Sequence, residues 1–321
     1  MILRNLNILM QKKLVLSPPT YQLHLRNKYI IKPGRIIKLK FNRHKLCLNE
    51  TLEMIKSSGG TCYGYVCDLC NREDVYKKAA VVSKEVGRVS ILVNNAGIAT
   101  AMKFLETPDE MLLRTMNVNI ISHFWTVKAF LPAMIEANKG HIVTIASLAG
   151  HFGSPKLVDY SASKYAAVGF DEALRMELDR FGHDVKTTVV CPYFIRSTGM
   201  FDDVLARVFE TGDLFIPTLV PDQVAERVVT AMRCNDRVAI IPGYLRMLIG
   251  CKWIFPWKCV TMVLDALVHD VSPDVSRTSS EQQAKPTAYT KLEEFTKDPI
   301  ANGNGIHQQL TRRVSNSERK P

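Results

Sequence analysis

The sequence predicts an α/β fold built on a doubly wound parallel sheet. Three observations carry that expectation. Short apolar runs that stop at polar residues alternate with long segments of helical periodicity. The runs themselves are almost uninterrupted, as in strands covered by helices on both faces. Asn94, Asn95 and Ser147 follow directly on such runs, at the strand ends where open α/β sheets gather function.

Taken in order, GYVCD (64–68) and RVSILVNNAG (88–97) read as strands that end in loops. Thr107, Pro108 and two acidic residues mark a helix start. Apolar residues recur at helical spacing from there to Ile135, and Gly140 is the expected stop. HIVTIAS (141–147) is the next strand, and 158–182 is a long helix closed by Gly182. VKTTVVCP (185–192), PDQVAERVVTAMR (221–233) and RVAIIPG (237–243) continue as strand, helix and strand.

The segment 244–268 is apolar and aromatic, but Arg246, Lys252, Lys258 and Asp265 interrupt it. It lacks the ~18 uncharged residues of a membrane span. Two readings stay open: a segment lying on a bilayer surface, or a helix packed on the domain or over a substrate site. From Ser272 the composition turns to Ser, Thr, Gln, Asn, Lys and Pro, which predicts a disordered tail over 272–321. Gly303 and Gly305 follow no strand there and make no phosphate loop.

The formal charge of +11 is concentrated at the start. Residues 1–45 carry 11 Lys and Arg and no acid, and the remainder balances at 31 of each sign. A neutral body argues against a nucleic-acid partner. The start is Ser-poor and has no uninterrupted apolar core, so neither a transit nor a signal peptide is read there. Cys67 and Cys70 form a lone CxxC without a second pair or nearby His residues, which argues against zinc. Several of the eight Cys lie in apolar runs, as buried free thiols in a reducing compartment do.

Tyr160 and Lys164 lie four residues apart on the 158–182 helix. That spacing puts them on one face, with Cβ atoms ~5–6 Å apart. A free phenol has a pKa of ~10, and acting as a base near neutrality needs a shift of ~3 units, about 4 kcal/mol. A nearby ammonium supplies such a shift by favouring phenolate. Ser147 is placed to hold a substrate oxygen beside Tyr160 for proton transfer at an alcohol or carbonyl. Read alone, such a pair is more often a core Tyr with a solvent-facing Lys.

The order NNAG (94–97), Asn119, Ser147, then Tyr160-x-x-x-Lys164 resembles the short-chain dehydrogenase/reductase family. SLAGHFGSPKLVDYSASK matches that family's pattern, including the intervening length. The stretches SSGGTCYGYVCDLCNREDVY, FWTVKAFLPAM, DYSASKYAAVGFDEAL and KTTVVCPYFI are similar to its membrane-associated retinol and hydroxysteroid dehydrogenase branch. The resemblance runs from about Asn49 to about Val268.

It implies a Rossmann-like fold, NAD or NADP as cofactor, and a lipophilic alcohol or carbonyl substrate of the retinoid or steroid class. Tyr160 becomes the general acid/base, and Lys164 lowers its pKa and binds the nicotinamide ribose. Ser147 orients the reacting oxygen, and Asn119 holds a water that links Lys164 to solvent. Asp68 contacts the adenine, with a helix N-cap as its structural alternative. Asn94, Ala96 and Gly97 shape the wall against the cofactor. One departure falls after CP, where the family places a Thr: here Ser197 stands, with Thr198 beside it, and either hydroxyl serves. The resemblance also implies a homodimer at a cytosol-facing endoplasmic reticulum or lipid-droplet membrane, or a cytoplasmic protein without its anchor.

One part of the family pattern is missing. Its first strand ends in a TGxxxGxG loop whose amides approach a pyrophosphate. Before residue 59 this chain has one glycine, Gly34. The expected organisation is therefore a basic segment (1–48), a domain lacking its first βαβ part (49–271) and a tail (272–321). The start is read as truncated or replaced relative to the family, with KPGRIIKLKFN able to add one strand. Neighbouring strands then lose hydrogen-bond partners. A second functional reading follows: a non-catalytic protein unable to hold dinucleotide, acting at most as a dimerisation partner.

Overall fold

The computed structural model describes residues 36–40, 52–53, 55–57, 61–196, 200 and 218–267, with backbone alone at 36–40 and 263–267. Six strands are present among them: β1 (Ile36–Lys40), β2 (Cys62–Val66), β3 (Ile91–Asn94), β4 (Gly140–Ile145), β5 (Val185–Pro192) and β6 (Val238–Ile241). Seven α-helices alternate with them. They are α1 (Arg72–Glu85), α2 (Asp109–Met116), α3 (Ser122–Glu136), α4 (Val158–Arg180), α5 (Pro221–Arg233), α6 (Leu245–Ile254) and α7 (Trp257–Leu267).

β3, β4, β5 and β6 form a parallel sheet in that order. Ile91 pairs with His141, Gly140 with Val185, and Val189 with Val238. Both faces are covered, as alternation along a strand requires. Ile142 packs into the cluster under α1 and α3 with Val82, Val127 and Met134. Its neighbour Val143 packs into the opposite cluster with Val224, Val228 and Leu245. Burying a side chain of that size contributes roughly 1.5–3 kcal/mol.

β1 and β2 form a separate parallel pair, Ile36 opposite Cys62 and Lys40 opposite Val66. The basic segment thus supplies one strand, as KPGRIIKLKFN suggested. Among the described residues no strand pairs with the second edge of β3, and the two sheets share no ladder.

Helix ends follow local chemistry. Asn71 caps α1 by accepting from the Asp74 amide at 3.0 Å, and Glu73 and Asp74 favour the positive end of the helix dipole. Gly182 (φ +72°) ends α4 in a Schellman turn: its amide donates to Asp179 and the His183 amide to Leu178. Asn138 (φ +42°) and Asn235 (φ +54°) end α3 and α5 in the same way. The expected stop at Gly140 therefore moves to Asn138. Gly140 opens β4 instead, where an added Cβ would lie 2.7 Å from the Met134 side chain.

The single helix expected from Thr107 onward is α2 and α3 joined through a wide π-turn at Asn117–Ile121. Such turns widen a helix by one residue and occur often at functional sites. By length and mean hydropathy (1.2) the stretch Asp109–Glu136 would pass for a membrane span, but half of its apolar window is buried. Val118, Ile120, Val127, Phe130 and Met134 are all core residues, so this is a helix of the fold's interior.

Candidate active site

Four of the sequence-predicted residues converge where β3 and β4 end and α4 begins. Ser147, two residues beyond β4, has extended backbone and accepts from the Ala149 amide at 3.1 Å. Its hydroxyl also hydrogen-bonds the Tyr160 phenol. Tyr160 sits in the first turn of α4 and is 6 % exposed, packed with Leu157, Ala99 and Phe194. One turn on, the Lys164 ammonium lies 5.5 Å from the centre of the Tyr160 ring. Nζ donates to the Ile145 carbonyl at 3.0 Å, which ties α4 to the end of β4.

Asn119 is fully buried in the π-turn. Its Oδ1 accepts from the Ile98 amide at 2.8 Å, and its Nδ2 donates to the Ile98 carbonyl and the Ser163 hydroxyl, both at 2.9 Å. The amide therefore clamps the loop after NNAG onto α4. Gly97 completes the group. A Cβ there would stand 3.5 Å from Lys164 Nζ and 3.6 Å from Asn119 Oδ1. With Met200 Cε 3.9 Å away as well, a side chain there would meet its neighbours in ordinary van der Waals contact.

The cofactor-wall candidates divide. Asn94 ends β3, 6 % exposed, and its Oδ1 accepts from Thr126 at 2.8 Å. Its Nδ2 is buried without a hydrogen-bond partner among the described residues. Ala96 packs against the Cys67, Leu69 and Val75 cluster. Asp68 lies two residues past β2, and one carboxylate oxygen accepts from the Cys70 amide at 3.0 Å in a local turn. The cap of the following helix is Asn71, so the N-cap alternative for Asp68 does not hold. Ser197 and Thr198 lie outside the described residues.

Electrostatics at the site differ from the sequence expectation. Burial pushes the Tyr160 phenol up to about 12, and the Ser147 hydrogen bond offsets only part of this. Lys164 is pushed down to about 8, also by burial. Desolvation disfavours phenolate and ammonium alike, and it is the leading cause of both shifts. The expected depression of the Tyr160 pKa is thus absent. Its phenol is a proton donor as it stands.

Supporting residues that the sequence did not single out fix this arrangement. Ser163, one helical turn from Tyr160, donates to the Tyr160 carbonyl at 2.6 Å and receives the Asn119 amide. Thr100 donates to Asp159 at 2.8 Å and ties the loop after β3 to the first turn of α4. Asp171 accepts from Arg175 and Thr187, each at 3.0 Å, and holds α4 on β5. Position on the Tyr160 face of α4 was the available signal for Ser163; the others depend on tertiary contact.

Gly150 marks a close approach to backbone. A Cβ there would lie 2.8 Å from the Lys164 carbonyl oxygen and 2.9 Å from Val168 Cγ2. Backbone cannot yield as a flexible side chain does. Gly150→Ala is expected to cost about 1–3 kcal/mol of stability. Urea denaturation checks this, and an unchanged midpoint would contradict the close contact.

Comparison with known proteins places this geometry. A family profile described as short chain dehydrogenase matches residues 28–208, over half the chain, starting within the basic segment. Short-chain dehydrogenase/reductase family 16C member 6 of Bos taurus is 43 % identical over 225 residues, 70 % of each chain. Human epidermal retinol dehydrogenase 2 is 40 % identical, covering 73 % of this chain and 78 % of that one. Human 17-beta-hydroxysteroid dehydrogenase 13 is 38 % identical, covering 66 % and 69 %. A short-chain dehydrogenase/reductase from Burkholderia phymatum, solved in complex with NAD, superposes with a TM-score of 0.62. It is 22 % identical and shares the fold over 68 % of this chain and 84 % of that one. On the family match and these relatives, the chain belongs to the short-chain dehydrogenase/reductase family, with its Rossmann-like parallel sheet.

Proposed function

We propose that the chain is an NAD(P)-dependent oxidoreductase that interconverts a lipophilic alcohol and its carbonyl, with Tyr160 as the general acid/base. The observation that carries this is the convergence of Ser147, Tyr160, Lys164 and Asn119 at one strand end. The retinoid or steroid class is supported by relatives whose names state those substrates. A membrane surface, of the endoplasmic reticulum or a lipid droplet, is the matching location for such substrates, and a homodimer the expected assembly.

The fit to a dinucleotide differs at its two ends. For a nicotinamide ribose, Tyr160 and Lys164 would offer a hydroxyl and an amine close to Gly97. At the pyrophosphate, residues 1–58 offer no glycine-rich turn. A bound nicotinamide supplies hydride chemistry. The chain's own residues supply the proton. In the reducing direction the Tyr160 phenol gives its proton to the carbonyl oxygen as charge develops there. The Ser147 hydroxyl, already hydrogen-bonded to that phenol, holds the same oxygen. Lys164 donates to Ile145 and keeps a cation near the phenolate that remains. In the oxidising direction each proton moves the opposite way.

The missing turn favours a second reading: a protein that keeps these four residues without holding dinucleotide. Titration with NADH and NADPH, followed by fluorescence, separates the two. Saturation at roughly micromolar to submillimolar concentration is expected for the enzyme. Lack of saturation at millimolar cofactor would favour the second reading.

A further inference from the structure

α6 and α7 form a hairpin with two unlike faces. On the inner face Leu245 and Val260 are buried, and Leu248 and Ile249 pack against the main core. On the outer face Trp253 is 81 % exposed, Ile254 77 %, Met247 77 % and Trp257 63 %, with Phe255 and Met262 beside them. An unbroken run, Trp253–Cys259, is exposed. Large apolar side chains gathered in this way mark an interaction surface, whereas scattered single ones do not.

Charge indicates the partner. From Tyr244 to Met262 there are three cations, Arg246, Lys252 and Lys258, and no acid. Arg246 also lines a shallow depression with Arg227, Arg237 and Asp236, so the cationic excess continues beyond the hairpin. Exposed Trp and Phe flanked by Lys and Arg fit the boundary between acyl chains and anionic headgroups. The hairpin is also joined to the site. Lys252 donates to the His151 carbonyl at 2.9 Å and to Tyr165 at 2.6 Å. His151 lies in the loop between Ser147 and Tyr160.

We propose that the outer face of α6–α7 is an interfacial surface that docks on an anionic lipid bilayer, while Lys252 ties α6 from within to the Ser147–Tyr160 loop. A lipophilic substrate then reaches the site from the bilayer without crossing water. That purpose rests on the lipophilic-substrate reading; the docking itself does not.

The test uses the full chain, without cofactor or substrate, and phosphatidylcholine vesicles with and without phosphatidylserine. Two of the three Trp residues, Trp253 and Trp257, lie on this face, so docking reports itself in fluorescence. The expected result is a blue shift with anionic vesicles, quenching by brominated acyl chains, and weaker binding to neutral vesicles. Replacing Trp253 and Trp257 with Glu together is expected to lower partitioning about tenfold or more, with unchanged circular dichroism. Arg246→Gln with Lys258→Gln is expected to lower binding to anionic vesicles only. Vesicle binding that survives the Trp changes would overturn the proposal and assign docking to the basic start. Absence of vesicle binding would overturn it too, as would a dimer by sedimentation that the Trp changes dissolve in the absence of lipid. Turnover enters none of these readouts, so loss of the enzymatic reading would leave the result interpretable.

Discussion

Tyr160→Phe is expected to lower turnover about 10²–10⁴-fold, the range that a positioned general acid or base contributes. Phe keeps the ring that packs on Leu157, Ala99 and Phe194, and it removes only the hydroxyl bonded to Ser147. Stability should change little, since the Ser147 hydroxyl retains the Ala149 amide. Cofactor affinity, read by NADH and NADPH titration, should fall far less than turnover. The pH profile adds a second readout. With the phenol pushed up to about 12, oxidation of an alcohol should rise with pH across the neutral range, because the base form is scarce there. Reduction should not show that rise. In the Phe variant the residual rate should lose the pH dependence. Turnover that persists at the original rate with a retinoid or hydroxysteroid would remove Tyr160 from the mechanism.

Much of this was legible because it is local. β5 has the bounds that the apolar run VKTTVVCP announces, and Gly182 ends α4 through the left-handed conformation glycine adopts freely. The four-residue spacing of Tyr160 and Lys164 placed them together correctly. Other features escaped because tertiary contact sets them. Nothing in the periodicity of 107–140 separates a regular helix from one widened at Asn117–Ile121, yet that turn aims Asn119 at the Ile98 backbone. Asn138 replaced Gly140 as the helix stop because Asn also tolerates positive φ. The sign of the Tyr160 shift was missed for the same kind of reason. Spacing reveals the neighbouring cation, but it does not reveal how much water the fold removes from both groups.

That last point sets the second large expectation, at Lys164. A charged amine 3 % exposed, with its Ile145 hydrogen bond, is an expensive residue for the fold to keep. The drop from 10.5 to about 8 corresponds to roughly 3 kcal/mol against the ammonium in the folded state. The sign follows from linkage. Below pH 8 both folded and unfolded chains hold the proton, so the penalty is present in full. Between pH 8 and 10.5 only the unfolded chain stays charged, and the penalty fades as pH rises. Lys164→Met fills a similar volume without charge, and leaves the Ile145 carbonyl short of one donor at a cost of about 1–3 kcal/mol. At pH 7 the variant is therefore expected to be as stable as the parent, or up to about 2 kcal/mol more stable. Its advantage should shrink by about 1 kcal/mol between pH 7 and 9. On the proposed roles, in which Lys164 supports the phenolate and holds the ribose, turnover should fall about 10²-fold or more. Urea denaturation at the two pH values, paired with rates, reads both halves. A residue kept for packing alone would lose stability on replacement and leave the rate unchanged. Stability retained while activity collapses is the signature of a charge held in the core for its chemistry.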